Sequence, residues 1–461
     1  MKQSTIRFAA TGARVATGAI IATACALGVV AAAAAPWPQV RSEPAATTVT
    51  PVPSDAVLVC NGSFRALGRD ASRAGLMVSA ATMGMRVDGA EDELTAAPLA
   101  MPDLRGGSGA QVLIGPVKDR AVPLFAASES VRLSDEDATG FAAAPCREPS
   151  LETWLVGGSV ATGASDIILL SNPGSVTATV ELDVYGDSRT ASTVVVPALT
   201  QLGLPLASVA AGSRSPVVRV VSSGAPVRAV LQSTLVRTLD AVGVDLQDGV
   251  SGPQSSQVIL GVRATPVTAG DDSTGVVVRM LAPDAGAHAT VRVRASGSDT
   301  IVDEYPVDLP PSAPTEIALS GLVEGAYDIE ISSTAPVVAG ARQVGRAGSA
   351  EDFAWSLPSP QLIAGAAAPF SIPRGAPATL HLRNPGDMPI TVELVPADGQ
   401  QARTIGLDAG GSAEVGVETG GYTLTPSGRV NAAIGMHAGA AIAAWPLWAG
   451  PATQQPIVVR P

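Results

Sequence analysis

The chain has 461 residues, 46% hydrophobic and only 15% charged, with 48 Gly and 37 Pro breaking it every few positions. That excludes long solvated helices, coiled coils and a disordered polyampholyte, and at roughly 150 residues per domain it leaves room for about three cores. The balance of 29 basic to 41 acidic residues, with aromatics at 3%, opposes binding to a phosphate backbone, so no nucleic-acid partner is expected.

Lys2, Arg7 and Arg14 form a basic segment, residues 1–14, ahead of an uncharged run from Val15 to Ala35. Twenty-one helical residues at 1.5 Å each span roughly 30 Å, the thickness of a bilayer core. The run is an export signal: either an anchor, favoured by its length, or a signal peptide cleaved after Ala33-Ala34-Ala35. Both fates put the bulk outside the cytoplasm. Ala22-Thr23-Ala24-Cys25 lacks the bulky aliphatic residue of a lipidation motif. Residues 36–54, rich in Pro and Thr, are expected to form an extended stalk. In an exported chain the two remaining cysteines, Cys60 and Cys146, are expected to form a disulfide, worth about 4–5 kcal/mol through loop closure.

Beyond the stalk the pattern has period two, as in Val176–Val184, Ala289–Arg294 and Ile390–Val395, and indicates antiparallel strands. The segments repeat. Asn172-Pro173-Gly174 precedes one alternating run and Asn384-Pro385-Gly386 another, with Ala282-Pro283-Asp284 in the corresponding place between them. The prolines lie 110 and 102 residues apart, so one unit is about a hundred residues. In Asn-Pro-Gly, proline presets φ and glycine is expected to supply a positive φ. A second landmark follows each: Gly224-Ala225-Pro226-Val227, Thr334-Ala335-Pro336-Val337 and, more faintly, Gly428-Arg429-Val430. It suits an edge or first-strand position, where proline forfeits no ladder bond. These signals predict an all-β protein of tandem immunoglobulin-like β-sandwiches at 150–250, 257–347 and 361–461, with an irregular β region at 55–149 completing the first sandwich.

Catalytic templates fail one by one. Gly157-Gly158-Ser159-Val160-Ala161 and Gly106-Gly107-Ser108-Gly109-Ala110 both miss the last glycine of a nucleophile elbow, and Lys118 has no serine three residues before it. His288, His381 and His437 fall in different expected domains, and His381, between Leu380 and Leu382, is expected to face solvent. Acidic clusters at 91–93, 135–137, 271–272 and 303–304 make Ca2+ a minor alternative to solvated loops; otherwise no cofactor and no catalytic residue are expected.

The block Cys146-Arg147-Glu148-Pro149, then Trp154-Leu155-Val156-Gly157-Gly158-Ser159 and Leu169-Leu170-Ser171-Asn172-Pro173-Gly174, resembles an uncharacterised actinobacterial family of large, membrane-anchored exported proteins. The resemblance implies an envelope location, in the neighbourhood of glycosylation genes, and supplies no reaction. Some relatives carry macroglobulin-like labels, but neither Cys60 nor Cys146 stands in a Cys-x-x-Gln thioester. Trp154 is expected to be a core or inter-sheet anchor. The expected function is a non-catalytic, membrane-tethered rod that scaffolds inner-membrane or cell-wall assembly proteins. A cell-wall glycan-binding module is the alternative and a hydrolase the residual one.

Overall fold

The computed structural model describes residues 3–34, 47–49, 53–68, 75–89, 94–265, 275–450 and 457–459. Most of the expected stalk, and the acidic clusters 91–93 and 271–272, lie outside them. The chain forms two compact parts. One holds the helix Gln3–Ala34, whose stretch Arg14–Ala33 is long and apolar enough to cross a membrane, and an antiparallel pair of short strands, Thr47–Val49 with Ile457–Val459. Thr47–Val49 is therefore strand where an extended stalk was expected, because the C-terminal strand satisfies its backbone groups.

Among its described residues the other part, within 52–454, is all-β apart from one short helical turn, Leu206–Val209. Its plan is clearest in Glu152–Asp248, where eight strands form two four-stranded sheets. The first, sixth, third and fourth strands (Glu152–Leu155, Val217–Ser223, Ala178–Tyr185, Thr190–Val196) make one sheet. The fifth, second, seventh and eighth (Thr200–Pro205, Ile167–Asn172, Arg228–Arg237, Asp240–Asp248) make the other. Ala178, Val180, Leu182 and Val184 of one sheet meet Ile168, Leu170, Ala229 and Leu231 of the other in a common core, while Thr179 and Glu181 point outward.

The same strand order recurs twice. Gln254–Ala264 to Ala350–Ser356 repeats it, except that the sixth and seventh strands are one continuous strand, Gly325–Ala347, which passes from the first sheet to the second. Ala368–Ile372 to Ala441–Pro446 repeats it with both strands separate. In units two and three the small-Pro-aliphatic landmark, with Pro226 and Pro336, marks this crossing between sheets, and not the edge or first-strand position expected of it. In unit four Gly428-Arg429-Val430 stands at the same crossing with Arg429 in place of proline. A corner has no ladder partner for the missing N–H, so proline costs nothing there.

Residues 56–145 are a fourth copy with parts missing. Ala56–Val59, Gln111–Gly115 and Thr95–Pro98 pair in the order first–sixth–third, and Gly84–Asp88, Ala126–Ser134 and Thr139–Pro145 in the order second–seventh–eighth. Ala56 and Leu113 of one sheet meet Ala127 of the other around Phe125 and the cysteines. The fourth and fifth strands are absent, and an inserted pair, Ser63–Ala66 with Met77–Thr82, lies over the neighbouring copy. There Phe64 and Met77 cover Ile167, Leu169 and Val230. That is why Ile167–Leu170 is apolar without alternation: the strand is buried on both faces.

We number these copies as units one to four in chain order. Their eighth strands, Thr139–Pro145, Asp240–Asp248, Ala350–Ser356 and Ala441–Pro446, pack each against the next, and the last against the first. The units close into a ring. At the closing seam Ser128 donates to Ser371 Oγ (3.0 Å), Ser371 donates to Asp88 Oδ2 (2.6 Å), and Phe141 enters the core of unit four. The linear rod expected from the repeats is replaced by this ring, because unit one carries apolar surface for both of its neighbours.

Candidate functional site

Of the sequence-predicted residues, Trp154, Gly157 and Gly158 lie at a seam, whereas the Asn-Pro-Gly turns and the cysteine pair lie within single units. Trp154 is buried between units two and three, packed with Tyr185 (ring centroids 5.5 Å apart), Leu281 and Val338, and its indole N–H donates to Glu152 Oε1. The two glycines beyond it shape a socket. A Cβ on Gly157 would lie 2.4 Å from Gln247 Nε2, and Gly158 has φ +96° with Leu206 and Leu231 pressed against it. Into this socket reaches Arg279, from the second strand of unit three and only 4% exposed. Its Nη1 donates to the carbonyls of Val156, Gly158 and Pro216, and its Nη2 pairs with Glu316 at 2.8 Å. The Trp-Leu-Val-Gly-Gly block is thus the receiving half of an inter-unit joint, which its sequence alone did not disclose.

The next seam is built on the same plan with one exchange. His381 stands on the second strand of unit four, 102 residues after Arg279, the same interval that separates Pro283 from Pro385. Arg279 is directly across from Glu316 on the fifth strand, and His381 directly across from Glu414. Gly261 takes the part of Gly157: a Cβ there would meet the His381 ring at 2.4 Å. His381 is 5% exposed, so the expectation that it faces solvent is corrected; its strand is covered by unit three. Its Nδ1 lies 3.3 Å from Glu414 Oε1, and this contact holds the Glu414 carboxyl below its ordinary range. An imidazole is shorter than the arginine side chain it replaces. A cleft of about 270 Å³ remains, lined among others by Arg263, Gln343, Thr379, His381, Glu414 and His437. Burial, then the nearby Arg263 charge, pulls His437 below the usual imidazole value. Beside the cleft, Arg383 pairs with Glu330 at 2.5 Å across the seam.

Asn172 and Asn384 are both fully buried and do one job in units two and four. Asn172 Nδ2 donates to the carbonyls of Val176, Val196 and Pro197; Asn384 Nδ2 donates to those of Met388 and Asp408. Pro173 and Pro385 stiffen the turn. Gly174 and Gly386 do not adopt the positive φ expected of them. Their N–H groups donate to the asparagine Oδ1 (2.9 Å each), and an added Cβ would crowd that oxygen at 3.1 Å. In unit three, where Ala282 replaces asparagine, Ser312 N–H donates to Ala282 O and its hydroxyl to Pro283 O.

Cys60 and Cys146 are joined in a buried disulfide that links the end of the first strand of unit one to the end of its eighth. Glu129 lies beside them and accepts from the N–H groups of Asn61 and Gly62, its carboxyl raised by burial. These three residues are the one grouping with metal-ligand spacing among the described residues, and the disulfide already occupies both sulfurs. The acidic cluster 135–137 is an exposed hairpin tip, and Glu304 pairs with Arg292 at 2.8 Å on an outer strand. At the ring centre Asp352 Oδ1 accepts from the N–H of Val244 and Phe353, and Oδ2 from that of Phe141. Asp245 Oδ2 accepts from Trp355 N–H. Burial pushes Asp352 up to about 8 and Asp245 to about 7.

A match covering residues 104–418 decides the affiliation. The chain belongs to DUF5719, a family of unknown function. The DUF5719 match runs from Leu104, between the third and sixth strands of unit one, to the end of the fifth strand of unit four. No curated protein matches the sequence. Among solved structures, Thermotoga maritima 1070 is 17% identical with a TM-score of 0.21, covering 22% of this chain and 95% of its own. A tetra-tandem repeat from the extending region of a large adhesion protein is 12% identical with a TM-score of 0.11, covering 87% and 93%. At these scores neither carries an argument.

Proposed function

We propose that this DUF5719 chain is a non-catalytic scaffold of the bacterial cell envelope, held at the membrane by its N-terminal helix with the ring on the extracytoplasmic side. The observation that carries this reading is a buried disulfide within a ring-forming unit that follows an apolar, basic-flanked helix. Disulfides persist in oxidising compartments. The helix is compatible with either an anchor or a cleaved signal.

We read each unit as immunoglobulin-like. In units two to four the second strand pairs with the fifth and the third with the sixth, as in that fold, while the first and seventh strands have exchanged edges; unit one keeps the third–sixth pairing. Four such units closed on one another present loops in several directions, a shape suited to holding inner-membrane or cell-wall assembly proteins together. The test is a C-terminal fusion to a phosphatase active only outside the cytoplasm, combined with cross-linking and purification from native membranes. Phosphatase activity with a reproducible set of membrane partners supports the proposal. An inactive fusion, or recovery without any reproducible partner, overturns it.

A further inference from the structure

We infer that the cleft between units three and four is a binding site for a small anion, a carboxylate or phosphate group, held by Arg263, His381 and His437. The internal repeat supplies the argument. At the preceding seam a guanidinium from Arg279 fills the joint and satisfies three carbonyls and a carboxylate. At this seam Glu414 keeps the place of Glu316, but the filling group is cut back to an imidazole and the space is left open.

The positive charge is not lost; it has moved to the opposite wall. Arg263, on the first strand of unit three, lines the cleft where the equivalent stretch of unit two has uncharged Ser159. Its backbone N–H is fixed by Gln343 Oε1 at 2.7 Å, and its guanidinium meets Glu324 at 3.5 Å, with Glu324 largely exposed. Arg263 Nε is buried and has no hydrogen-bond partner among the described residues. His381 is more than nine-tenths buried, and Glu414 is already engaged by it. The cleft therefore gathers a guanidinium, two imidazoles and the Thr379 hydroxyl around a space with one committed carboxylate. A donor-rich cavity of that size suits the head of a carboxylate or phosphate ligand, which a guanidinium can grip through two parallel N–H bonds.

Binding is measured with the full-length protein in detergent, titrating inorganic phosphate and acetate separately against chloride at matched ionic strength, by calorimetry and by the shift in Tm. Saturable binding of at least one of the two is expected, and which one binds distinguishes the phosphate from the carboxylate source. His381→Arg should refill the joint as Arg279 does, keep or raise the Tm without added anion, and abolish the anion-dependent shift. Arg263→Gln, on a part-exposed side chain, should weaken binding at least tenfold while the protein stays folded, which guards against misfolding of the first variant. The inference fails if neither anion binds better than chloride, if binding survives both substitutions, or if free guanidinium ion binds in place of the anions.

Discussion

Asp352 sits where three eighth strands meet, and its carboxylate does what a neighbouring strand does elsewhere: it accepts the free edge N–H groups of Phe141 and Val244. Its pKa of about 8, that of Asp245 near 7 and that of Asp166 near 6 are all raised chiefly by burial. The folded state therefore binds more protons than the unfolded chain from roughly pH 4 up to those values, and stability falls as pH rises through that window. Denaturant melts should show stability increasing on acidification from pH 8.5 to 5.5, by up to about 1.4 kcal/mol per pH unit for each titrating group. Asp352→Asn should flatten that slope and cost about 1–3 kcal/mol at pH 6, because the amide nitrogen cannot accept the N–H that one of the carboxyl oxygens accepts. An unchanged slope in the variant removes Asp352 from the account. None of this was legible in the sequence, where Asp352 and Asp245 are two acidic residues among 41. Asn172 and Asn384 were legible as turn residues; that their amides fasten distant carbonyls became visible only with the fold.

Among elements, the sheet crossing distinguishes these units from a simple stack of hairpins. The landmark before the seventh strand is conformationally specific at its glycine. Gly224 has φ +87°, and a Cβ there would fall 2.6 Å from Thr177 O. Gly224→Ala should therefore cost about 2–3 kcal/mol from backbone strain and the clash together. Pro226→Ala should cost only about 0.5–1 kcal/mol, through greater freedom of the unfolded chain. Equal losses in paired urea melts would contradict this assignment. Strands were readable wherever one face is wet, as in Ala178–Tyr185, because alternation survives there. Unit one escaped because it lacks the fourth and fifth strands and the Asn-Pro-Gly signal, and only the pairing order exposes it as a copy. His381 was misjudged for a related reason: alternation along one strand says which face a side chain takes, not whether a neighbouring unit covers that face.

At the scale of the whole molecule, the ring gives unit one a double load, since it packs against both the second and the fourth unit. Its disulfide joins residues 86 apart in sequence and ties its first strand to its eighth. Replacing Cys60 and Cys146 together by alanine should cost about 4 kcal/mol by loop entropy, read as a fall in the urea midpoint. Closure itself has a sharper test. Ser128, on the seventh strand of unit one, and Ser371, on the first strand of unit four, are both buried with hydroxyls 3.0 Å apart although 243 residues separate them. Ser128→Cys with Ser371→Cys should oxidise to a disulfide recovered as one linked peptide pair on mapping. In a linear array the first and fourth units would be separated by two intervening ones, far beyond the few ångströms that a disulfide spans between Cα atoms. Recovery of both peptides unlinked would therefore open the ring, whereas the linked pair fixes the order in which the seams meet. Because each seam packs through the eighth strands, a loosened closing seam should also speed hydrogen exchange at Phe141 and Val244, whose N–H groups depend on Asp352 from the third unit.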